Sequence, residues 1–142
     1  MLIYLAARYG RREELCTIRT HLETLGHQIT SRWLSGTHEI ASRENGEDQE
    51  GTLNDSRRFA EEEMADLHAA ECLIALTEPP RSSYSRGGRH TELGLALAWQ
   101  KRIVVVGYRE NVFCCLPQIL FYKNTDTMLT AFELQRKETP HE

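Results

Sequence analysis

Short apolar runs alternate with helical stripes along the chain, and this alternation limits the fold more than any other feature of the sequence. The runs at residues 2–7, 72–76 and 102–107 are aliphatic, which is typical of strands buried on both faces. Residues 11–25 repeat leucine or isoleucine at three- and four-residue spacing and predict an amphipathic helix that ends at Gly26. Alternating strands and helices predict a parallel sheet with helices on both sides.

The rest of the chain completes this pattern. Further strands are predicted at residues 27–34 and 119–122, and further helices from Asp55 or Ser56 to about residue 70, at 90–100 and at 125–135. Five parallel strands fit the flavodoxin-like order 2-1-3-4-5, an α/β three-layer sandwich of Rossmann type. The 142 residues are expected to form one domain, 1–142. Residues 35–55 show no period and predict a flexible loop or lid within it.

Composition excludes several classes of function. The formal net charge is -4, which argues against binding to nucleic acid or to a membrane surface. No apolar run approaches the roughly 18–20 residues that a membrane span needs, and we expect the first residues to form a strand and not a signal peptide. We therefore expect a cytoplasmic protein with no membrane partner.

The four cysteines predict neither a metal site nor a disulfide framework. Cys16 and Cys72 are isolated, and Cys114 and Cys115 are adjacent, so a bridge between the last two would be strained. We expect reduced thiols, no metal and no cofactor.

The fold class directs attention to two loops, because ligands of such sheets bind beyond the carboxyl ends of strands one and three. The first loop holds Ala7, Arg8, Tyr9 and Arg11 at the start of a helix, where guanidinium groups and a helix N-terminus suit a phosphate. Arginines near a helix start are also commonly solvated. Trp33 and Tyr9 are candidate stacking platforms for a base. Aromatic residues that only fill the core or its rim would give the same sequence pattern.

The second loop is polar and rich in glycine. Its candidate substrate-binding residues are Ser83, Ser85, Arg86, Gly87, Gly88, Arg89 and His90. Glu92 follows in the next helix, where a carboxylate could serve as nucleophile or base, or could simply complement the helix dipole. On the preceding helix, Glu63 and Asp66 belong to an acidic run that in most proteins is a solvated face.

These motifs resemble the nucleoside 2-deoxyribosyltransferase-like family, which includes deoxynucleoside 5′-monophosphate N-glycosidases. The similar segments are 3–6, 69–76, 88–96, 101–107, 107–113 and 116–117, which together span most of the chain. The most specific piece is Glu92-Leu93-Gly94, which is similar to the family's glutamate-bearing helix start. Gly94 is expected there to let the helix pack closely on the sheet.

The resemblance implies a role for each candidate residue. Glu92 would attack the anomeric carbon and form a glycosyl ester as the base departs, as in a retaining glycosidase. Glu63 stands where the family has an aspartate, and Asp66 is the candidate substitute for that second acid. Transferases carry an aspartate where this chain has Arg86, and this departure favours an anionic ligand such as a nucleotide over a free nucleoside.

Two further expectations follow from the resemblance. Family members pair so that one subunit completes the site of another, and the candidate residues for that edge are Glu110, Asn111 and Phe113, with Asn111 also a candidate for substrate binding. A homodimer or higher homo-oligomer is expected. The alternative to an enzyme is a protein that sequesters a nucleotide or an ADP-ribose-like signal in the same crevice without turnover.

Overall fold

The structure is a computed structural model that describes residues 1–36, 50–81 and 87–138, without the side chains of residues 50–52. The five strands of its sheet are β1 (Leu2–Ala6), β2 (Gln28–Ile29), β3 (Cys72–Leu76), β4 (Arg102–Val106) and β5 (Ile119–Tyr122). The α-helices of these ranges are α1 (Arg12–Thr24), α2 (Glu50–Ala69), α3 (Gly88–Ala98) and α4 (Thr125–Glu138). Short 3₁₀ turns lie at Tyr9–Arg11, Arg32–Ser35 and Val112–Cys115.

The strands form one parallel sheet in the order β2-β1-β3-β4-β5, which confirms the predicted topology. β1 and β3 are neighbours, with Ile3 opposite Cys72 and Ala6 opposite Ala75. Their carboxyl ends therefore lie side by side. The first and second candidate loops begin at this edge of the sheet.

Helices cover both faces, as the three-layer prediction requires. α1 packs against α4, and α2 packs against α3. Every residue of β3 is buried because helices lie on both sides of it. In α1 the predicted apolar stripe faces inward through Leu15, Ile18 and Leu22, and Gly26 adopts a left-handed conformation after the helix.

Three sequence predictions are wrong in detail. The second strand is only Gln28–Ile29 rather than residues 27–34, because the chain then turns into the 3₁₀ segment Arg32–Ser35. The helix expected from residue 55 or 56 begins at Glu50, so it takes in the end of the predicted loop, whose residues 37–49 lie outside the described ranges. Gly94 is exposed, and a Cβ there would meet no atom within 4 Å, so it is not needed for close packing.

Two sequence expectations about cysteines and membranes can be compared with the structure. All four cysteines lie in the described ranges, and none is in a disulfide. None of the helices in those ranges combines the length and apolar character needed to cross a bilayer.

The carboxyl ends of β3 and β4 are tied together by Thr77. Its hydroxyl accepts a hydrogen bond from the backbone N–H of Tyr108 at 2.6 Å and can donate to the Tyr108 carbonyl at 2.7 Å. Gly107 lies between β4 and Tyr108 with φ +115°, and a Cβ there would stand 3.2 Å from the Thr77 hydroxyl. The edge of the sheet is therefore held firmly where the functional loops leave it.

Candidate active site

Glu92 and Tyr4 bring two polar groups together in the interior. Glu92 lies five residues from the N-cap of α3, Gly87, whose left-handed conformation (φ +92°) turns the chain into the helix. Tyr4 lies in the middle of β1 with no exposed surface. The Glu92 Oε2 atom and the Tyr4 hydroxyl are both sealed from solvent, and neither has a hydrogen-bond partner of good geometry among the described residues. The two groups are neighbours, because the Tyr4 hydroxyl lowers the pKa of Glu92. Two polar atoms without a hydrogen-bond partner of good geometry among the described residues are therefore buried close together at this point of the fold.

The electrostatics of this pair favour a protonated carboxyl. Burial, and then the charge of Glu63, raise the pKa of Glu92 to about 8, while the Tyr4 hydroxyl and the charge of Arg89 lower it. Burial raises the pKa of the Tyr4 hydroxyl far above its usual range, and the neighbouring carboxylates of Glu92, Glu63 and Asp66 raise it further. A carboxyl group with a pKa near neutrality can exchange its proton during a reaction.

Glu63 and Asp66 share a helix but face different partners. Glu63 is half-buried on α2, and its charge acts on both Glu92 and Tyr4. Asp66 is buried, and its carboxylate accepts hydrogen bonds from the backbone N–H and the Nε of Arg32, both at 2.9 Å. Asp66 therefore anchors the 3₁₀ turn Arg32–Ser35, whereas Glu63 is the acid that acts on Glu92.

The first loop is held by an acid that sequence reasoning did not single out. Glu78, buried just after β3, accepts a hydrogen bond from Arg8 Nε at 2.9 Å and lies 3.6 Å from Arg11 Nη1. Arg11 also donates to the Thr77 carbonyl at 3.1 Å and makes two bonds of 2.9 Å to Glu14. These carboxylates balance both guanidinium charges, so Arg8 and Arg11 are not an open anion pocket.

The predicted stacking platforms lie beside this loop. Trp33 is 5% exposed and donates its Nε1 hydrogen to the Leu5 carbonyl at 2.9 Å, so most of it belongs to the core. Tyr9 is half-buried, with its ring centroid 6.0 Å from that of Trp33 and tilted by 44°. Ala7 is half-buried directly after β1. Of the two aromatic rings, Tyr9 is the more accessible to a ligand.

The second loop is described only in part. Ser83, Ser85 and Arg86 lie outside the described residues. Arg89 turns away from solvent and pairs with Glu110 through two contacts, Nη1 to Oε1 and Nη2 to Oε2.

The other named residues of this region lie around that pair. Gly88 is exposed at the first position of α3. His90 is exposed, and its Nδ1 lies 3.4 Å from the side-chain nitrogen of Asn111, whose oxygen caps the 3₁₀ turn Val112–Cys115 through the N–H of Phe113. His90 and Asn111 are therefore neighbours at the entrance to α3.

Comparison with known proteins gives the fold a context. No protein-family model matches the chain, and no curated protein sequence matches it. A 2-deoxyribosyltransferase from Bacillus psychrosaccharolyticus is similar over 100% of both chains, with a TM-score of 0.65 and 14% identity. The chain has the fold of a 2-deoxyribosyltransferase. The CMP N-glycosidase BcmB of Clostridium botulinum is also similar, with a TM-score of 0.59 and 16% identity over 94% of this chain and 99% of that one.

The 2-deoxyribosyltransferase fold confirms the resemblance seen in the sequence at the level of architecture. The site also contains residues that were not selected from the sequence, Tyr4 and Glu78. Tyr4 could have been noticed, because a tyrosine hydroxyl inside a fully buried strand needs a polar partner. Glu78 could have been noticed as an acid at the same sheet edge as the first-loop arginines. Glu110 was expected at an oligomer edge, yet it faces Arg89 in the interior.

A separate groove of about 440 Å³ opens on the same 2-deoxyribosyltransferase fold, at the outer edge of the sheet beside β2. Arg19, Arg32 and Glu62 supply its charged lining, and hydroxyl groups supply much of the rest. None of the lining residues is Glu92, Tyr4 or Glu63, so this groove is distinct from the cluster around Glu92.

Proposed function

We propose that this protein cleaves the N-glycosidic bond of a deoxynucleoside or a deoxynucleoside 5′-monophosphate, with Glu92 as the nucleophile. The observation that carries the proposal is the Glu92 carboxyl, whose buried Oε2 atom lies beside the Tyr4 hydroxyl in the middle of β1. The similarity of the fold to a 2-deoxyribosyltransferase and a CMP N-glycosidase supports it.

The chemistry needs the ionised form of Glu92. One carboxylate oxygen bonds to the anomeric carbon while the carbon–nitrogen bond breaks, and the base leaves with the bonding electrons and gains a proton. The resulting glycosyl ester is then opened by water, which gives hydrolysis, or by a second base, which gives transfer. The Tyr4 hydroxyl stabilises the carboxylate before attack, and Glu63 is the candidate for binding the sugar hydroxyls or assisting the departing base.

Whether the protein prefers a substrate with a 5′-phosphate depends on the charged groups of the first and second loops. Glu78 and Glu14 already balance Arg8 and Arg11. A preference for the nucleotide therefore depends on Arg86 and the serines near it, which remain predicted ligands of the phosphate.

The experiment is direct. The protein is incubated with each of the four common deoxynucleosides and their 5′-monophosphates, and free base is measured by chromatography. We expect base release from at least one of them by the wild type, loss of release in Glu92→Gln, and unchanged release in Glu61→Gln, an exposed acid on α2. Mass spectrometry of acid-quenched enzyme should show a glycosyl adduct on the peptide that contains Glu92.

Two results would contradict the proposal. The first is the absence of base release from every compound, with Glu92→Gln indistinguishable from the wild type. The second is tight calorimetric binding of a nucleotide that is recovered intact, which would favour a sequestering protein.

The proposal includes a cytoplasmic homo-oligomer in which a second copy contacts the loop after β4. Val112 and Phe113 are 76% and 57% exposed there and would supply the apolar part of that contact. Light scattering that gives a monomer at assay concentration would contradict this part of the proposal.

A further inference from the structure

Arg89 and Glu110 form a buried ion pair at the N-terminal turn of α3. Their side chains are 4% and 10% exposed, and two parallel contacts join the guanidinium to the carboxylate. The bidentate arrangement fixes the orientation of the guanidinium as well as its position. An arginine held in this way is not available as a free cation for a ligand.

The pair is built into its surroundings. Arg89 Nε is buried and has no hydrogen-bond partner among the described residues. On the other side, His90 Nε2 lies 4.0 Å from the second oxygen of Glu110. Burying a charged pair in this way is costly in free energy, and a hydrophobic pair of similar volume would often stabilise a protein equally well. The pair is therefore weak evidence for a stabilising role, and its position relative to Glu92 is the more informative feature.

The position of Arg89 relative to Glu92 suggests an electrostatic role. The two residues are three positions apart in α3, so they lie on the same face of the helix. Charged or titratable groups act on Glu92 from each packed element: Tyr4 from β1, Glu63 from α2 and Arg89 from its own helix. Of these groups in the described part of the chain, Arg89 is the cation.

We propose that Arg89 is a positioning residue for Glu92: fixed by Glu110, its guanidinium holds a positive charge one helical turn before the carboxyl group and keeps that group ready to ionise. Glu110 acts only through Arg89. The catalytic consequence rests on the proposed function, but the electrostatic relation between Arg89 and Glu92 does not.

The first test measures ionisation directly and needs no activity. The protein is labelled with ¹³C at glutamate carboxyl carbons, the Glu92 signal is assigned by its loss in Glu92→Gln, and its pKa is read from a pH titration. In the double variant Arg89→Met/Glu110→Gln, which leaves no unpaired buried charge, the pKa of Glu92 should rise, because the cation one helical turn away is lost. Arg89→Lys keeps the charge and should stay near the wild type.

Two further variants separate positioning from mere support. Glu110→Gln keeps the charge of Arg89 but removes the carboxylate that fixes it, so the pKa of Glu92 should rise less in this variant than in the double variant. Arg136→Met is the matched control, because this exposed arginine of α4 bonds to Thr24 at the opposite edge of the sheet and should leave the titration unchanged. A rise in Glu110→Gln equal to that of the double variant, or no rise in the double variant, would overturn the proposal.

Activity adds a second readout. If base release is observed, kcat/KM at pH 7 should fall in the double variant in proportion to the measured rise in the pKa of Glu92, about tenfold for each pH unit. The acidic limb of the pH–rate profile should move to higher pH. If no substrate is found, the proposed function fails, whereas the carboxyl titration still decides the role of Arg89.

Discussion

The Tyr4 hydroxyl, in the middle of β1, lies beside the buried Oε2 atom of Glu92 in α3, and neither atom has a hydrogen-bond partner of good geometry among the described residues. In water each group would have several hydrogen-bond partners, and here neither has one of good geometry among the described residues. Such an arrangement is costly to fold around and is typical of a site where a carboxyl group must change its protonation state.

Replacing Tyr4 with phenylalanine should move the pH dependence of catalysis. The hydroxyl lowers the pKa of Glu92, so its loss should raise that pKa above about 8 and shift the acidic limb of kcat/KM to higher pH. Activity at pH 7 should fall about tenfold, the effect of one hydrogen bond to a charged group. A pH–rate profile checks this. Tyr108→Phe, an exposed tyrosine, is the control and should match the wild type.

Replacing Glu92 with glutamine should change how stability depends on pH. Burial raises the pKa of Glu92 from 4.5 to about 8, so the folded state holds a proton that the unfolded state loses. Its contribution to stability is complete below pH 4.5 and is lost as the pH rises through 8. A glutamine at this position cannot ionise, so Glu92→Gln should be more stable than the wild type at pH 9 but not at pH 4. Urea unfolding at both values tests this, and equal differences would contradict it.

The Glu63→Gln variant should distinguish the electrostatic effect of Glu63 on Glu92 from a direct contact of Glu63 with the substrate. The Glu63 carboxylate raises the pKa of Glu92, so Glu63→Gln should lower that pKa and move the acidic limb of the rate profile below pH 8. If Glu63 also contacts the substrate, the maximal rate should fall in the same variant. A shifted limb with an unchanged maximum would assign to Glu63 an electrostatic role alone.

Asp66→Asn tests whether this acid is structural. Its carboxylate holds the backbone and side chain of Arg32, and it is 7% exposed, so weakening both bonds should cost about 1–3 kcal/mol in the free energy of unfolding. Asp55→Asn, whose exposed side chain lies 3.5 Å from Arg58, should cost far less. If Asp66→Asn unfolds like the wild type yet loses activity, Asp66 acts on the substrate instead.

Two glycine substitutions should have opposite effects. Gly107→Ala places a Cβ 3.2 Å from the Thr77 hydroxyl at φ +115° and should destabilise the fold by about 1–3 kcal/mol. Gly94→Ala adds a methyl group in open space within α3 and should stabilise it by about 0.5–1 kcal/mol. Thermal unfolding of both variants checks the pair, and a loss of stability in Gly94→Ala would contradict the structure.

Much of the architecture was readable from the sequence because it depends on local patterns. The aliphatic runs at 72–76 and 102–107 could form only buried strands, and their alternation with helices left few topologies open. The short second strand was overestimated because an edge strand is buried less and has a weaker pattern. The early start of α2 was missed because Gly46, Gly51 and the surrounding charges obscured the helical period.

The candidate site also has one part that local sequence motifs predict and another part that only the folded chain defines. Glu92 could be named from the sequence because its helix start is a local motif, and the loops that flank it follow from the topology. Only the tertiary structure decided which acid of α2 acts on Glu92, and which carboxylates pair with Arg8 and Arg89. Those pairings join residues 21 to 70 positions apart, as in Arg89 with Glu110 and Arg8 with Glu78. A charge in the sequence has no distant partner until the chain folds, so Arg8, Arg11 and Arg89, which had suggested an anion pocket, turned out to be held by the protein's own acids.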